Sequence, residues 1–162
     1  MYYLDESGFD PRDEHTRGWA LSSERLSGFK TGKRSLERIS VIAAYQESEL
    51  IAPMTYEGTL NTELFVTYLK KCLFPTLPKG SCVIMDNATP HKSAQVLKIA
   101  EKFGCIVLYL PPYSPDLNPI EHCWSWVKSK LYQLMEQSNQ SFKDLISESI
   151  VYYSRNPECV PT

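Results

Sequence analysis

Three acidic residues lie where a carboxylate could do chemistry. Asp5 closes a short β-prone run at the start of the chain, Asp86 closes a buried-type apolar run, and Glu121 lies near the start of a predicted helix. Sites in open α/β sheets form outside the carboxyl ends of the strands, so these acids could meet. Three carboxylates in one cleft repel each other unless cations neutralise them, and oxygen-only ligands select Mg²⁺ or Mn²⁺. Two such ions are the usual clamp for in-line displacement at phosphorus.

Each acid also has a structural explanation that needs no catalysis. The segment Asn118–Glu121 fits a capping box, in which Asn caps the helix and Glu reaches back to the cap amide. Asp86 followed by Asn87 could form a turn at a strand end. Asp5, near a chain terminus, could simply be solvated. Taken singly, none of these acids identifies a site.

The elements that must position the acids begin with strands and then alternate between helices and strands. The early strands predict an antiparallel part, and the later alternation favours parallel strands with right-handed crossovers. We therefore predict an α/β fold with a mixed sheet of about five strands and helices on both faces. The predicted strands are Tyr2–Glu6, Arg38–Tyr45, Leu50–Tyr56, Ser81–Asp86 and Ile106–Leu110, and the predicted helices run from Asn61 to Pro75, Thr89 to Gly104, Pro119 to Met135 and Ser141 to Tyr153.

A proline-rich linker precedes the helix that carries Glu121. Four of the eleven prolines lie between Pro111 and Pro119. Each fixes its own φ and biases the preceding residue away from helix, so the linker loses little conformational freedom on folding. Such a stiff linker indicates that the Glu121 carboxylate is held at a defined position. Glu121 lies one residue, about 100°, from Ile120 and therefore at the edge of the buried helix stripe, where it could face a cleft.

Composition and charge limit the classes of function. The 162 residues suit one domain, no apolar run approaches the ~20 residues that span a bilayer, and the start lacks a signal peptide. Five cysteines without a CxxC pair indicate reduced thiols in a cytosolic protein and no zinc site. A net charge of -2 weighs weakly against a nucleic-acid partner, yet five basic residues and one acid lie between Arg25 and Arg38. That run is either a solvated loop or a phosphate contact.

Three segments resemble the catalytic motifs of mariner-type DDE transposases, with a closer likeness to the bacterial insertion-sequence branch of that superfamily. Leu4–Phe9 resembles the first motif, Asp86–Ser93 the second and Leu110–Trp124 the third, which is long and specific. Thirty-four residues, positions 87 to 120, separate Asp86 from Glu121. This is the spacing expected of members whose third acid is Glu.

The resemblance implies an RNase H-like fold and a metal-dependent enzyme that cleaves DNA strands and transfers them without a covalent protein intermediate. Asp5, Asp86 and Glu121 would be both the catalytic residues and the ligands of two divalent cations, magnesium or manganese. The motifs also contain the accessory candidates Glu6, Asn87 and His91. Candidate DNA-binding residues are Trp19, Lys30, Lys33, Arg34, Lys92 and Lys128.

The resemblance also implies an organisation and a set of partners. Residues 1–156 would form the catalytic domain, with 9–36 as a basic, loop-rich insertion and 157–162 as a tail. Relatives carry an N-terminal helix-turn-helix region, so we expect one to be encoded upstream. Expected partners are the element's terminal inverted repeats, target DNA at TA and a second subunit, in a prokaryotic cytoplasm at the nucleoid. Alternatives are a non-catalytic remnant or domesticated domain that binds DNA or a partner, and an RNase H-like nuclease of other specificity.

Overall fold

The structure is a computed structural model that describes residues 1–11, 38–112 and 114–156. These ranges contain one sheet with the strand order β3-β2-β1-β4-β5 and helices on both of its faces. The strands are β1 (Tyr2–Phe9), β2 (Ile39–Gln46), β3 (Glu49–Glu57), β4 (Cys82–Met85) and β5 (Ile106–Tyr109). The helices are α1 (Thr62–Tyr68), which continues through a π turn (Leu69–Leu73) and a 3₁₀ turn (Phe74–Thr76), α2 (Ala94–Phe103), a 3₁₀ turn (Pro115–Leu117), α3 (Ile120–Gln137) and α4 (Phe142–Arg155).

The sheet is mixed, as predicted. β1 occupies its centre and pairs antiparallel with β2 and parallel with β4, while β5 pairs parallel with β4. Leu4 of β1 lies opposite Met85 of β4. The next residue along each of these parallel strands is an acid, so the register brings Asp5 and Asp86 to the same level of the sheet.

Each face of the sheet has its own apolar core, because successive side chains of a strand point to opposite faces. Leu4 belongs to the core beneath α1 and α2, whereas Phe9 belongs to the core beneath α3 and α4. Asp5 shares the parity of Phe9 and lies on the α3 face. Glu6 shares the parity of Leu4 and lies on the α1 face. β1 was predicted to end at Glu6 but continues to Phe9.

One predicted helix start was wrong, and one suggested helix cap is not formed. The second helix was expected to begin at Thr89–Pro90, but α2 begins at Ala94 with Ser93 as its N-cap. Side-chain and backbone hydrogen bonds hold residues 86–91 in a turn, including Ala88 N–H to Asp86 Oδ1 at 3.0 Å. For α3, the expected capping box does not form, because Pro119 occupies the cap position without a side-chain hydrogen bond. Within the described ranges, no helix has the length and apolarity needed to cross a membrane.

The start of α3 is anchored by Ile120, which is fully buried, whereas Leu117 in the preceding turn is more than half exposed. We predict that Ile120→Ala lowers the free energy of unfolding by about 2–5 kcal/mol, because it leaves a cavity beneath the site. Leu117→Ala is the matched control and should change it by no more than about 0.5 kcal/mol. Urea denaturation followed by circular dichroism measures both. Equal losses would show that Ile120 does not anchor the helix.

Candidate active site

The three acids singled out in the sequence line one open cleft, where the carboxyl end of β4 lies beside the middle of β1. The cleft has a volume of about 430 Å³. Its floor comes from these two strands, and its rim comes from the proline-rich linker and the start of α3. The lining residues are Asp5, Asp86, Asn87, Lys92, Leu110, Pro111, Pro112, Ser114, Asn118 and Glu121.

The linker is tied to the sheet at the point where it leaves β5. Leu110 N–H donates to the carbonyl of Met85 at 2.8 Å, and Asn87 Nδ2 donates to the carbonyl of Leu110 at 2.5 Å. Farther along, the side chains of Ile120 and Trp124 are buried in the core beneath α3. The linker is therefore fixed at both ends, and Glu121 is held over the strand that carries Asp5.

The pKa of the Asp5 carboxyl group is raised well above its ordinary value. Burial is the main cause that raises its pKa to about 7, and the carboxylates of Glu121, Asp86 and Glu6 raise it further. A hydrogen bond with the backbone of Glu6 acts in the opposite direction. The protein therefore holds a carboxyl group where its anionic form is unfavourable, and a cation in the cleft would relieve that cost.

The donor chemistry of the cleft fits a hard divalent cation, although the ligands are not assembled around one. Among the described residues, no three His, Cys, Asp or Glu side chains are grouped closely enough to hold an ion as they stand. The available donors are nevertheless all oxygens, as Mg²⁺ and Mn²⁺ prefer. Asn118 adds an oxygen, Oδ1, that is buried without a hydrogen-bond partner. Repulsion separates unneutralised carboxylates, so binding requires the acids to approach each other.

His91 lies beside the cleft, buried between two of the motif acids. Its Nδ1 is 2.5 Å from Asp86 Oδ1, and its Nε2 is 2.7 Å from Glu6 Oε1. Burial alone would lower the pKa of His91, but the hydrogen bonds to Asp86 and Glu6 outweigh it and raise the pKa to about 9. The same hydrogen bond is the main cause that lowers the pKa of Asp86. Near neutral pH the three groups form an imidazolium held by two carboxylates.

The remaining predicted residues fall into three groups. Asn87 and Lys92 line the cleft. Lys128 is not among the lining residues, and its Nζ lies 5.6 Å from the centre of the Phe9 ring. The candidates within the predicted insertion, namely Trp19, Lys30, Lys33 and Arg34, lie outside the described residues.

Sequence reasoning did not single out Asn118 or Ser114 as cleft residues, nor the contact between Glu6 and His91. One sequence signal was available for Asn118, which stands within the third motif three residues before Glu121. Alternation along β1 places Glu6 on the face opposite to Asp5, but no local pattern points to its contact with His91, 85 positions away.

The raised pKa of Asp5 predicts a pH-dependent stability difference. Without metal, the stability linked to its neutral form is fully present below about pH 4 and is lost as pH rises through the folded pKa of about 7. Asp5→Asn stays neutral, so its stability relative to the parent protein should increase across this window, by on the order of 2–4 kcal/mol at about 1.4 kcal/mol per pKa unit. Urea unfolding in EDTA at pH 4 and pH 8 measures it.

The exposed residue Asp116 supplies the control for removal of a negative charge. Asp116→Asn should give a difference from the parent protein that hardly changes between the two pH values. If Asp5→Asn behaves in the same way as Asp116→Asn, burial does not perturb Asp5 as described.

Two curated proteins match parts of the sequence. The chain is 30% identical over 82 residues to "Histone-lysine N-methyltransferase SETMAR" of Homo sapiens, a match that covers 47% of this chain and 12% of that protein. It is 29% identical over 93 residues to "Transposable element Tcb1 transposase" of Caenorhabditis briggsae, covering 54% of this chain and 34% of that one. The matched segments therefore span only a minor part of each relative.

The fold matches solved structures over nearly the whole chain. "Mos1 transposase paired-end complex with left transposon end" superposes with a TM-score of 0.63 at 16% identity, covering 97% of this chain and 53% of that one. "Structure of Mos1 transposase catalytic domain and Raltegravir with Mn" gives 0.62 at 19% identity, with 99% and 76% covered. Identities this low show a common fold only. The fold is RNase H-like, as the resemblance implied.

A family model described as "DDE superfamily endonuclease" matches residues 1–146. This match includes Asp5, Asp86 and Glu121, together with all five strands of the described sheet. It also covers most of the 162 residues. The chain therefore belongs to the DDE superfamily of endonucleases.

Proposed function

We propose that this chain is the catalytic domain of a transposase, which cleaves DNA strands at the ends of its element and joins them to target DNA. The observation that carries the proposal is the convergence of Asp5, Asp86 and Glu121 on one cleft of an RNase H-like sheet. Membership of the DDE endonuclease family and the match to the Tcb1 transposase support it. The substrate is then a phosphodiester bond.

The three acids are the proposed ligands of two divalent cations, magnesium or manganese. Bound cations supply activation of a water or a DNA 3′-hydroxyl and stabilisation of the leaving oxygen. Asp5 holds its carboxylate on the sheet floor, Asp86 lies beside it directly after β4, and Glu121 faces them from α3. The Mos1 transposase catalytic domain has been solved with Mn, which supports this choice of metal.

The cleft also contains residues suited to a DNA backbone. Lys92 lines it near the acids and can contact a phosphate. Pro111 and Pro112 also line the cleft, are exposed and offer a firm surface for the strand. Trp19, Lys30, Lys33 and Arg34 are proposed to extend the contact, as is Lys128.

Recognition of the element ends is proposed to need more than this chain. A Mos1 paired-end complex contains a transposon end, and this chain spans 53% of the Mos1 chain there. We propose that a helix-turn-helix region encoded upstream recognises the terminal inverted repeats. The target sequence is then TA, and the active form is a homodimer. The Glu third acid, separated from Asp86 by 34 residues, supports placement in the bacterial insertion-sequence branch. The protein would then act in a prokaryotic cytoplasm, at the nucleoid.

A second candidate is a non-catalytic remnant or a domesticated domain that binds DNA or a partner. The observation in its favour is that the described acids do not form a ready-made metal group. Metal binding and strand cleavage separate the two candidates.

The first test is calorimetric titration with Mn²⁺. We expect the parent chain to bind, and Asp5→Asn, Asp86→Asn and Glu121→Gln each to weaken binding at least about tenfold, because each removes one ligand charge. Asp116→Asn is the matched control and should bind as the parent does. Unchanged affinity in all three acid variants would rule out a common metal site.

The second test is strand cleavage by the chain fused to its upstream region, on DNA that carries the element's own terminal repeat. Metal ions supply several kcal/mol of transition-state stabilisation, and each 1.4 kcal/mol is about tenfold in rate. Loss of any of the three acids should therefore slow nicking by about 100-fold or more. If the fusion does not nick DNA with Mg²⁺ or Mn²⁺ present, the remnant is the correct assignment.

A further inference from the structure

The imidazole of His91 joins two carboxylates from neighbouring strands. Glu6 belongs to β1, Asp86 follows β4, and His91 lies in the turn before α2. Its two ring nitrogens lie 2.7 Å from Glu6 Oε1 and 2.5 Å from Asp86 Oδ1. Ionised carboxylates only accept hydrogen bonds, so both ring nitrogens donate. His91 is 2% exposed, and water does not compete for these bonds.

The bonds at Asp86 all involve the same oxygen. His91 Nδ1 and the backbone N–H of Ala88 both donate to Oδ1, the latter at 3.0 Å. Asp86 is otherwise more than half exposed, and an exposed side chain samples several rotamers. The two donors select one rotamer. That rotamer leaves the other oxygen, Oδ2, as the available ligand.

Three other elements hold His91. The Phe65 ring of α1 lies with its centroid 4.3 Å from that of His91, and Tyr109 of β5 donates its hydroxyl to the His91 backbone carbonyl at 2.8 Å. Glu6 holds Nε2 from β1. The ring is therefore buried and packed, whereas Asp86 is more than half exposed, so the Asp86 side chain is the freer of the two to adjust.

From this geometry we infer that His91 is a positioning residue, which orients the Asp86 carboxylate for metal binding. The inference rests on the proposed function, because it takes Asp86 to be a metal ligand. Glu6 holds the other ring nitrogen from β1. Partners that orient a metal ligand typically change metal affinity or activity by 10–100-fold when they are removed.

Two amide substitutions separate the two nitrogens of His91. The amide nitrogen of Asn falls near the position of Nδ1, so His91→Asn keeps a donor to Asp86 and loses the bond to Glu6. The amide nitrogen of Gln falls near Nε2, so His91→Gln keeps the donor to Glu6 and loses the bond to Asp86. We expect His91→Gln to raise the Mn²⁺ dissociation constant 10–100-fold, measured by calorimetry, and His91→Asn to raise it no more than about threefold.

Phe74→Leu controls for a merely structural role. It removes a buried ring from the same core, one that packs on Phe103 at 5.8 Å between ring centroids, and leaves both hydrogen-bonding groups of His91 in place. We expect it to lower the melting temperature at least as much as either His91 variant, with little change in Mn²⁺ affinity. If His91→Gln and His91→Asn weaken binding equally, or if affinity follows melting temperature across the three variants, His91 is structural and the inference is wrong.

The acid variants distinguish failure of the inference from failure of the proposed function. If Asp86→Asn abolishes Mn²⁺ binding while His91→Gln leaves it unchanged, the metal site stands and only the positioning role is wrong. If Asp86→Asn also leaves binding unchanged, the proposed function fails and the inference fails with it. Circular dichroism on every variant confirms that the comparison is made on folded protein.

Discussion

The parallel pairing of β1 with β4 is the constraint on which the rest of the site depends. Because Leu4 lies opposite Met85, the next residues bring two carboxyl groups to one level of the sheet. The apolar residues on either side of this pair fill the two cores, and they fix the register against the repulsion between the acids. Hydrophobic packing on both faces thus offsets an electrostatic cost that is concentrated at Asp5 and that a bound cation would remove.

Glu121 is positioned in a different way from Asp5 and Asp86. The pair comes from strand register, whereas Glu121 is placed by a stiff linker and by the buried side chains at the start of α3. No capping box forms at the start of α3. Pro119 occupies the cap position without a side-chain hydrogen bond, so the Glu121 carboxylate does not hold the helix end. The buried anchor of α3 and the proposed metal ligand are therefore adjacent residues, Ile120 and Glu121.

Much of the fold could be predicted from sequence, because strong periodicity marks each element. The five strands, the mixed pairing and the core faces of the helices follow from β-branched runs and helical stripes. The start of α2 could not be predicted, since Thr89 and Pro90 are typical of a helix N-cap and first helical position, yet the helix begins at Ala94. Asp86 overrides them by accepting from Ala88 and His91, and this competition between a turn and a helix is decided by tertiary contacts. The bond between Glu6 and His91 spans 85 positions, so no local pattern contains it.

The alternation of β1 has a consequence for how this sequence can change. Two adjacent acids serve opposite faces of one strand, one toward the cleft and the other toward the imidazole behind it. With Leu4 kept in its core, a one-residue insertion between Leu4 and Asp5 would exchange the faces of the two acids and turn Phe9 out of its own core. The placement of the two acids and the packing of β1 would therefore change in the same step. The positions of Asp5 and Glu6 therefore depend on the side-chain alternation of β1. Leu117 lies in an exposed linker turn, where no such alternation applies.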